Sequence, residues 1–325
     1  MDLADRVNKL ELAVTSLSSL VFADWDESAH ERGYHGRFGS GSKDGQDLNQ
    51  MPSTAAGWSN RMQAVSSAVS AYSRQQGDTQ DQYDHVNGQR GRYDPETEKM
   101  HSERLAEKLA VVADVPRQRE AWIFGGFPGS GKSSALPEQL GIRPDETHAV
   151  VDCDRDKTWM AENGMVPEIP GTSPLEAASL IHAESQDITR DFQDALLAQG
   201  TNVVLDGTMS NPGRTEGQIR ELVAAGYTIN VGFASITADE SIRRVEARWQ
   251  SEQQAFMEGK NDVGGRIVPA HFIKDDAIDG PTRGQNQENF YRTSNDPRIS
   301  RSVMIDTMGE PKEVSDSARN PNTYH

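Results

Sequence analysis

The chain has 325 residues, of which 35% are hydrophobic, and a formal net charge of -17. This charge repels polyanions, so we expect no general binding to nucleic acids or to anionic membranes. No stretch approaches the roughly 20 apolar residues that span a bilayer, and the single cysteine, Cys153, excludes an intramolecular disulfide framework. These features predict a cytoplasmic protein with one core-forming domain and additional solvated segments.

A short heptad pattern occupies residues 1–22. Its apolar positions alternate at spacings of four and three, at Leu3, Val7, Leu10, Val14, Leu17 and Val21. Leucine and valine at alternating seam positions favour a parallel two-stranded coiled coil, which predicts a homodimer. An amphipathic helix that packs on its own domain is the alternative, because a clear coiled-coil signal takes about 3 to 4 heptads.

The polar composition of residues 23–93 predicts a linker that contains one amphipathic helix, over residues 59–75. His30 and His35 lie in this linker without the further His or Cys ligands of a metal site. The stretch around them, DESAHERGYHGRF, resembles a short element of phage head-associated proteins, which implies a phage-encoded protein.

Residues 94–310 alternate short apolar strands with helices. Asp94 and Pro95 mark the first helix with a cap and a proline at its first position. The predicted strands are AWIFGG, THAVVDCD, TNVVLDGT, TINVGFASI and RSVMIDT. This alternation predicts an α/β domain whose mainly parallel sheet is flanked by helices. Residues 311–325 are predicted to form a disordered tail.

A phosphate-binding pattern follows the first strand. The segment from Gly126 to Ser133 matches G-x-x-x-x-G-K-[ST] without a mismatch. Its glycines let backbone N–H groups converge on phosphate oxygens, Lys132 reaches the outer phosphates, and the Ser133 hydroxyl binds Mg²⁺. A glycine turn is the alternative, but the preceding strand and the following helix favour a site for ATP or GTP. The residues of this predicted site are Gly126, Pro128, Gly129, Ser130, Gly131, Lys132, Ser133 and Ser134.

Acidic residues follow the second and third strands, at the edge where open α/β sheets bind ligands. Asp152 and Asp154 would point the same way from an extended chain. Either is a candidate to accept a hydroxyl proton or to hold magnesium, and a solvated acidic turn is the alternative. Asp206 and Thr208 end the third strand, where Asp206 is the candidate magnesium carboxylate and a helix cap is the alternative.

Positive charge for a transferring phosphoryl group is predicted on the helix after the fourth strand. That helix carries Arg243, Arg244 and Arg248, and Arg266 follows in the segment GGRIVP. A planar guanidinium suits the negative charge that spreads over phosphoryl oxygens during transfer. Taken by itself, Arg248 is better explained as a surface charge that pairs with Glu252.

Five motifs, taken in order, resemble the zeta toxin family of P-loop kinases. They are GGFPGSGKSS, VVDCDRDK, LLAQGTNVVLDGT, AAGYTINVGFAS and GRIVPAHFI, within residues 120–280. The resemblance implies a P-loop kinase fold, use of ATP and Mg²⁺, and phosphorylation of a sugar hydroxyl of UDP-N-acetylglucosamine. It also implies a toxin of cell-wall synthesis that an antitoxin restrains.

The resemblance also implies roles for single residues. Lys132 would hold the β and γ phosphates, Asp154 would be the acceptor base, and Arg248 and Arg266 would stabilise the transferring phosphoryl group. The resemblance implies Ser133 as a metal ligand and Thr208 as a contact to the sugar nucleotide. With the acidic residues at the strand ends, the candidate metal ligands are Ser133 and Asp206, and the candidate substrate contacts are Asp152, Asp154, Asp206, Thr208 and Asp191.

The acceptor and the N-terminal segments leave alternatives open. Arg190, with Asp191 beside it, stands where a family pattern has a glutamate on the substrate helix, so a kinase of another metabolite is one alternative. A nucleotide-binding assembly protein without transfer activity is another, motivated by the heptad pattern and the linker. A compatible hypothesis is that the helix over residues 59–75 blocks the cleft, as an antitoxin in cis.

Overall fold

The computed structural model describes residues 48, 50–83, 93–277, 284–309 and 314–318. The predicted heptad helix with its homodimer, the histidines of the linker and the phage-like element all lie outside the described residues. Within the described ranges, no helix is both long and apolar enough to cross a membrane.

A six-stranded sheet forms the centre of the described chain. The strands are β1 (Glu120–Gly125), β2 (Ala149–Val151), β3 (Val203–Asp206), β4 (Thr228–Ser235), β5 (Ile299–Asp306) and β6 (Val314–Ala318). Their order is β2-β3-β1-β4-β5-β6, in which β1 to β5 are parallel and β6 is antiparallel to β5. The predicted α/β class and the five predicted strands are therefore confirmed.

Helices cover both faces of the sheet. They are α1 (Ala55–Gln76), α2 (Thr79–Tyr83), α3 (Pro95–Val111), α4 (Lys132–Leu140), α5 (Cys153–Glu162), the 3₁₀ helix Pro174–Ile181, α6 (His182–Gln199), α7 (Pro212–Ala224), α8 (Ala238–Met257), α9 (Ala270–Lys274) and α10 (Gln285–Ser294). The predicted cap of α3 is confirmed, because the Asp94 side chain accepts hydrogen bonds from Glu96 N and Thr97 N.

The central strand β1 is buried on both faces, as expected for a parallel sheet between helices. Successive side chains of a strand point to opposite faces. Ala121 and Ile123 accordingly belong to one hydrophobic cluster, which includes Phe192 of α6. Trp122 and Phe124 belong to the other, which includes Leu136 of α4. The carboxyl end of β1 is thus held rigidly between two layers.

The N-terminal boundary differs from the prediction, because the compact unit begins at Met51 rather than at residue 94. Helix α1 is longer than the predicted 59–75, since the Thr54 side chain caps it by accepting from Gly57 N. It packs on the rest of the unit through Val65 and through Arg61, which is 1% exposed and paired with Glu176. The composition of a polar segment does not show that one of its arginines is buried, so the predicted helix was assigned to the linker rather than to the compact unit.

The predicted disordered tail is wrong for five of its residues, because Val314–Ala318 forms the edge strand β6. Arg301 of β5 donates from Nε and Nη2 to Asp316, at 3.0 and 2.6 Å. The hydroxyl oxygens of Ser302 and Ser317 lie 2.6 Å apart. Polar cross-strand pairs hold this edge, so the segment shows no apolar run in the sequence.

Two truncations test the boundary. A chain that begins at Met51 should unfold at nearly the same temperature as the full chain. A chain that begins at residue 94 lacks α1, so it loses both the Arg61–Glu176 pair and the apolar contacts of Val65 and Val69. Its thermal unfolding midpoint, followed by circular dichroism, should therefore fall. Equal midpoints for the two truncations would show that α1 is a dispensable linker helix.

Candidate functional site

The phosphate loop connects β1 to α4 with a backbone that only glycine adopts freely. Gly126 has φ 137°, and Gly131, immediately before α4, has φ 82°. A Cβ atom at Gly126 would lie 2.5 Å from the Ala234 carbonyl oxygen, so the loop passes directly over β4. The predicted strand, loop and helix are present, and the first amide groups of α4 open toward the position of an anion.

The end of β3 and the start of α8 tie the loop down. The Gly126 N–H donates to the Thr208 carbonyl oxygen at 3.2 Å. The Ser241 hydroxyl donates to the Pro128 carbonyl oxygen at 2.7 Å. Thr208 was predicted at this edge as a substrate contact, and its carbonyl group holds the loop.

Arg244 and Thr307 add a third connection, from α8 to the end of β5. The Arg244 guanidinium donates to the carbonyl oxygens of Gly129 and Thr307, at 3.3 and 2.9 Å. The Thr307 hydroxyl donates to the Ser130 carbonyl oxygen at 2.8 Å. Neither Ser241 nor Thr307 was predicted. Thr307 directly follows the fifth strand at the ligand-binding edge, so the strand rule applied to β3 would have found it.

Lys132, Ser133 and Asp206 form the predicted phosphate and metal end of the site. The Ser133 hydroxyl donates to Asp206 Oδ2 at 3.0 Å, and Lys132 Nζ lies 3.8 Å from Asp206 Oδ1. Among the described residues, this buried Oδ1 accepts no hydrogen bond. A hydroxyl beside a carboxylate oxygen with free acceptor capacity is the donor set that Mg²⁺ prefers, so these residues fit that ion.

Asp152 keeps an extended backbone, but Asp154 lies in the first turn of α5, which corrects the predicted geometry. Asp152 is the N-cap, and its carboxylate accepts from Asp154 N at 2.9 Å. Oxygen and sulfur atoms of Asp152, Cys153 and Asp154 lie within 4.8 Å of one another. Burial, followed by the negative charges of Asp206 and Asp154, raises the pKa of Asp152 to about 6. The helix start thus places both carboxylates together by a route that strand alternation did not predict.

Two cations neutralise Asp154. Lys157 Nζ lies 3.1 Å from its Oδ1, and Arg266 Nη1 donates to the same oxygen. Burial raises the pKa of Asp154, but the charges of Arg266 and Lys157 outweigh it and lower the pKa to about 2. Asp154 and Arg266 were predicted from different motifs, and the structure brings them into contact.

The structure does not bring Asp191 to these residues. Asp191 is exposed on α6, and after burial the charges that raise its pKa are those of Asp187 and Asp194. It lies nine residues after His182, the first residue of α6, or about 13 Å along the helix. His182 is the α6 residue near Asp154: its pKa is lowered to about 4 by burial and by the charge of Lys157.

Arg248 is exposed on α8, and its charge acts to lower the pKa of Glu252. The charge of Arg266 acts on the same carboxylate, whose pKa is nevertheless raised by burial. Arg248 therefore flanks the site beside Arg266, while Arg244 of the same helix contacts the phosphate loop.

A family model described as Zeta toxin matches residues 103–292. No curated sequence matches the chain. Among solved structures, the AvrRxo1-ORF1:AvrRxo1-ORF2 complex with sulphate ions has a TM-score of 0.54 at 15% identity, and the match covers 84% of this chain and 77% of that one. The native AvrRxo1-ORF1:-ORF2 complex gives 0.53 with the same identity and coverage. These similarities show a shared fold.

A more distant structural match is the PezAT chromosomal toxin-antitoxin system of Streptococcus pneumoniae. Its TM-score is 0.47 at 11% identity, and the match covers 66% of this chain and 79% of that one.

The raised pKa of Asp152 predicts a pH-dependent gain in stability when its charge is removed. The folded-state pKa of about 6 exceeds the ordinary 3.8, so the ionised carboxylate costs stability that grows above about pH 4 and is complete above about pH 6. An asparagine at this position would keep a good helix cap. Asp152→Asn should therefore raise the free energy of unfolding by on the order of 2–3 kcal/mol at neutral pH, and the gain should vanish toward pH 4.

Urea unfolding at several pH values measures this effect, and Asp94→Asn is a matched control. Asp94 also caps a helix, but the Thr97 hydroxyl bonds to its carboxylate and lowers its pKa, so removal of that charge brings no gain. A gain from Asp152→Asn that stays constant with pH would contradict the assigned cause.

Proposed function

Because the chain belongs to the Zeta toxin family of P-loop kinase-like phosphotransferases, we propose that it transfers the γ-phosphate of ATP to a sugar hydroxyl of UDP-N-acetylglucosamine. Transfer to this precursor would block cell-wall synthesis. The observation that carries the proposal is the contact of Arg266 with Asp154, at the sheet edge where Lys132 and Ser133 begin α4. This arrangement supports a phosphate site beside an acceptor carboxylate that carries its own cation.

The phosphate loop supplies the nucleotide half of the reaction. Its N–H groups and Lys132 would hold the β and γ phosphates, while Ser133 and Asp206 would hold Mg²⁺. The ion, when bound, would neutralise charge on the bridging phosphate oxygens. Thr208 and Arg244 fix the loop from behind, so binding requires little reorganisation of the backbone.

Asp154 and Arg266 supply the acceptor half. The acceptor oxygen would attack the γ-phosphorus, the bond to ADP would break, and the hydroxyl proton would pass to Asp154. With a pKa of about 2, Asp154 is a weak base while Arg266 is paired with it. When Arg266 turns to the phosphoryl oxygens, it no longer lowers that pKa, and Asp154 becomes a better base as transfer proceeds. Arg248, exposed on α8, would add a second guanidinium from outside.

The acceptor class is supported by family membership, and the net charge of -17 opposes a polynucleotide acceptor. A kinase of another metabolite is the second candidate, because Arg190, with Asp191 beside it, stands where a family pattern has a glutamate on the substrate helix. We further propose a separate antitoxin, since the family is one of toxins and AvrRxo1-ORF1, which shares the fold, was solved in complex with AvrRxo1-ORF2.

Inhibition in cis by α1 is less well supported. The helix contacts the 3₁₀ helix and α8 through Arg61 and Trp58, and these contacts suit a structural element. Inhibition in cis would make the chain that begins at residue 94 more active than the full chain. We expect the opposite.

Purified protein incubated with ATP, Mg²⁺ and a panel of UDP sugars tests the transfer. Mass spectrometry should show a phosphorylated UDP-N-acetylglucosamine. Lys132→Ala removes a phosphate contact and Asp154→Asn removes the acceptor carboxylate, so each should lower kcat about 100-fold or more. Asp239→Asn, an exposed carboxylate on the same protein, is the control and should have full activity.

The substrate panel separates the candidate functions. If another metabolite is phosphorylated instead, and its phosphorylation requires Lys132 and Asp154, the protein is a kinase with a different acceptor. ATP hydrolysis that no sugar stimulates, with no phosphorylated product, would contradict phosphotransfer and favour a binding role.

A further inference from the structure

A buried ion pair joins α1 to the 3₁₀ helix before α6. Arg61 Nε donates to Glu176 Oε1 at 3.0 Å, and Arg61 Nη2 donates to Glu176 Oε2 at 2.7 Å. The side chains are 1% and 0% exposed. The planar guanidinium also donates to the Gly171 carbonyl oxygen at 3.2 Å. Such a two-bond pair fixes direction as well as distance, which a lysine does not do.

The Glu176 carboxylate also accepts hydrogen bonds from two further segments. Glu176 Oε1 accepts from Trp249 Nε1 of α8 at 3.2 Å, and Oε2 accepts from Ser173 N at 2.9 Å. The rings of Trp58 and Trp249 also meet edge to face, with centroids 5.3 Å apart. Glu176 is therefore the common acceptor through which α1 is connected to α8.

Ser173 transmits this connection to the segment before Arg266. Its hydroxyl donates to Gln253 Oε1 at 2.7 Å, and the Gly265 N–H donates to the same oxygen at 3.4 Å. A Cβ atom at Gly264 would lie 2.1 Å from Ser173 Oγ. The backbone of residues 264 and 265 is thus pressed against Ser173, and the next residue reaches Asp154.

We propose that Arg61 is a positioning residue for Arg266, acting through Glu176, Ser173 and Gln253. Arg61 lies outside residues 103–292, which the family model matches, so a helix beyond that region completes the phosphotransfer site. The mechanistic consequence rests on the proposed function, whereas the positioning itself is a property of the fold.

Loss of the pair should loosen one half of the site only. Without the guanidinium of Arg61, the charged Glu176 carboxylate is buried without a matching partner, and water enters to solvate it. Ser173 and Trp249 then lose their fixed acceptor. The segment that carries Arg266 then becomes mobile. The phosphate loop is held by other contacts, from Thr208, Ser241 and Arg244, and should be unaffected.

Two substitutions in the full chain separate positioning from stability. Arg61→Lys keeps the charge but loses the planar fork. Gln253→Met keeps the shape and removes the shared acceptor. It leaves two donors without that acceptor, but it also removes a buried amide nitrogen that has no partner among the described residues, which offsets part of the cost. Arg74→Ala, at an exposed position of α1, is the matched control.

The readouts are hydrogen exchange of the 263–268 backbone and steady-state kinetics well below the unfolding midpoint. Both substitutions should speed exchange in residues 263–268 without changing exchange in residues 126–133. Because a displacement of about 1 Å at a reacting group costs up to about 100-fold, kcat should fall about 10- to 100-fold. The KM for ATP and the behaviour of Arg74→Ala should match the wild type.

Unchanged exchange in residues 263–268 would overturn the proposal, as would lowered thermal stability with an unchanged kcat. If Arg61→Lys does not fold, Gln253→Met decides the question alone. If the wild type phosphorylates no UDP sugar, the proposed acceptor fails, while faster exchange in the same segment still supports the positioning role.

Discussion

The phosphate loop runs so close to β4 that its first glycine has no room for a side chain, and the site is arranged around this contact. A Cβ atom at Gly126 would lie 2.5 Å from the Ala234 carbonyl oxygen. Carbonyl groups of the loop accept from Ser241 and Arg244 of α8 and from Thr307 after β5. The Gly126 and Ser130 N–H groups also donate within the protein, to the carbonyl oxygens of Thr208 and Phe127, which leaves the first N–H groups of α4 for an anion. Because β1 is buried on both faces, the loop that follows it starts from a rigid position in the sheet.

Two neighbouring carboxylates acquire different properties from their surroundings. Asp152 has a pKa of about 6, raised by burial and by Asp206, whereas Arg266 and Lys157 keep the pKa of Asp154 near 2 against the effect of burial. The separation comes from different neighbours: the charge of Asp206 raises the pKa of Asp152, whereas the charges of Arg266 and Lys157 lower the pKa of Asp154. Titratable groups whose environments push them apart are typical of sites with divided roles. Asp154 is the group whose charge a moving guanidinium would control.

The fold was predictable where its signals are local. Apolar runs placed the five parallel strands, and the glycine pattern placed the phosphate loop at residues 126–133. The resemblance to the zeta toxin family is likewise confirmed. The sequence did not show the docking of α1, because Arg61 and Glu176 are 115 residues apart and each looks like a surface charge. The edge strand β6 was missed because its cross-strand pairs are polar. Asp191 was assigned to the substrate site by counting residues from a motif. The position of a residue along a helix does not determine which neighbours its side chain faces.

The cost of the buried Arg61 pair argues for a geometric role. Two ions taken from water regain little net stability even when well paired, and apolar residues of similar volume often do better. What the pair supplies is direction, because it holds the Glu176 carboxylate in the orientation in which its oxygens accept from Trp249 and Ser173. In the proposed mechanism, the Arg266 guanidinium alternates between Asp154 and a phosphoryl group, and such a group tolerates small errors of placement poorly. Fixing the backbone beside Arg266 through α1 meets that requirement without placing another charge in the cleft.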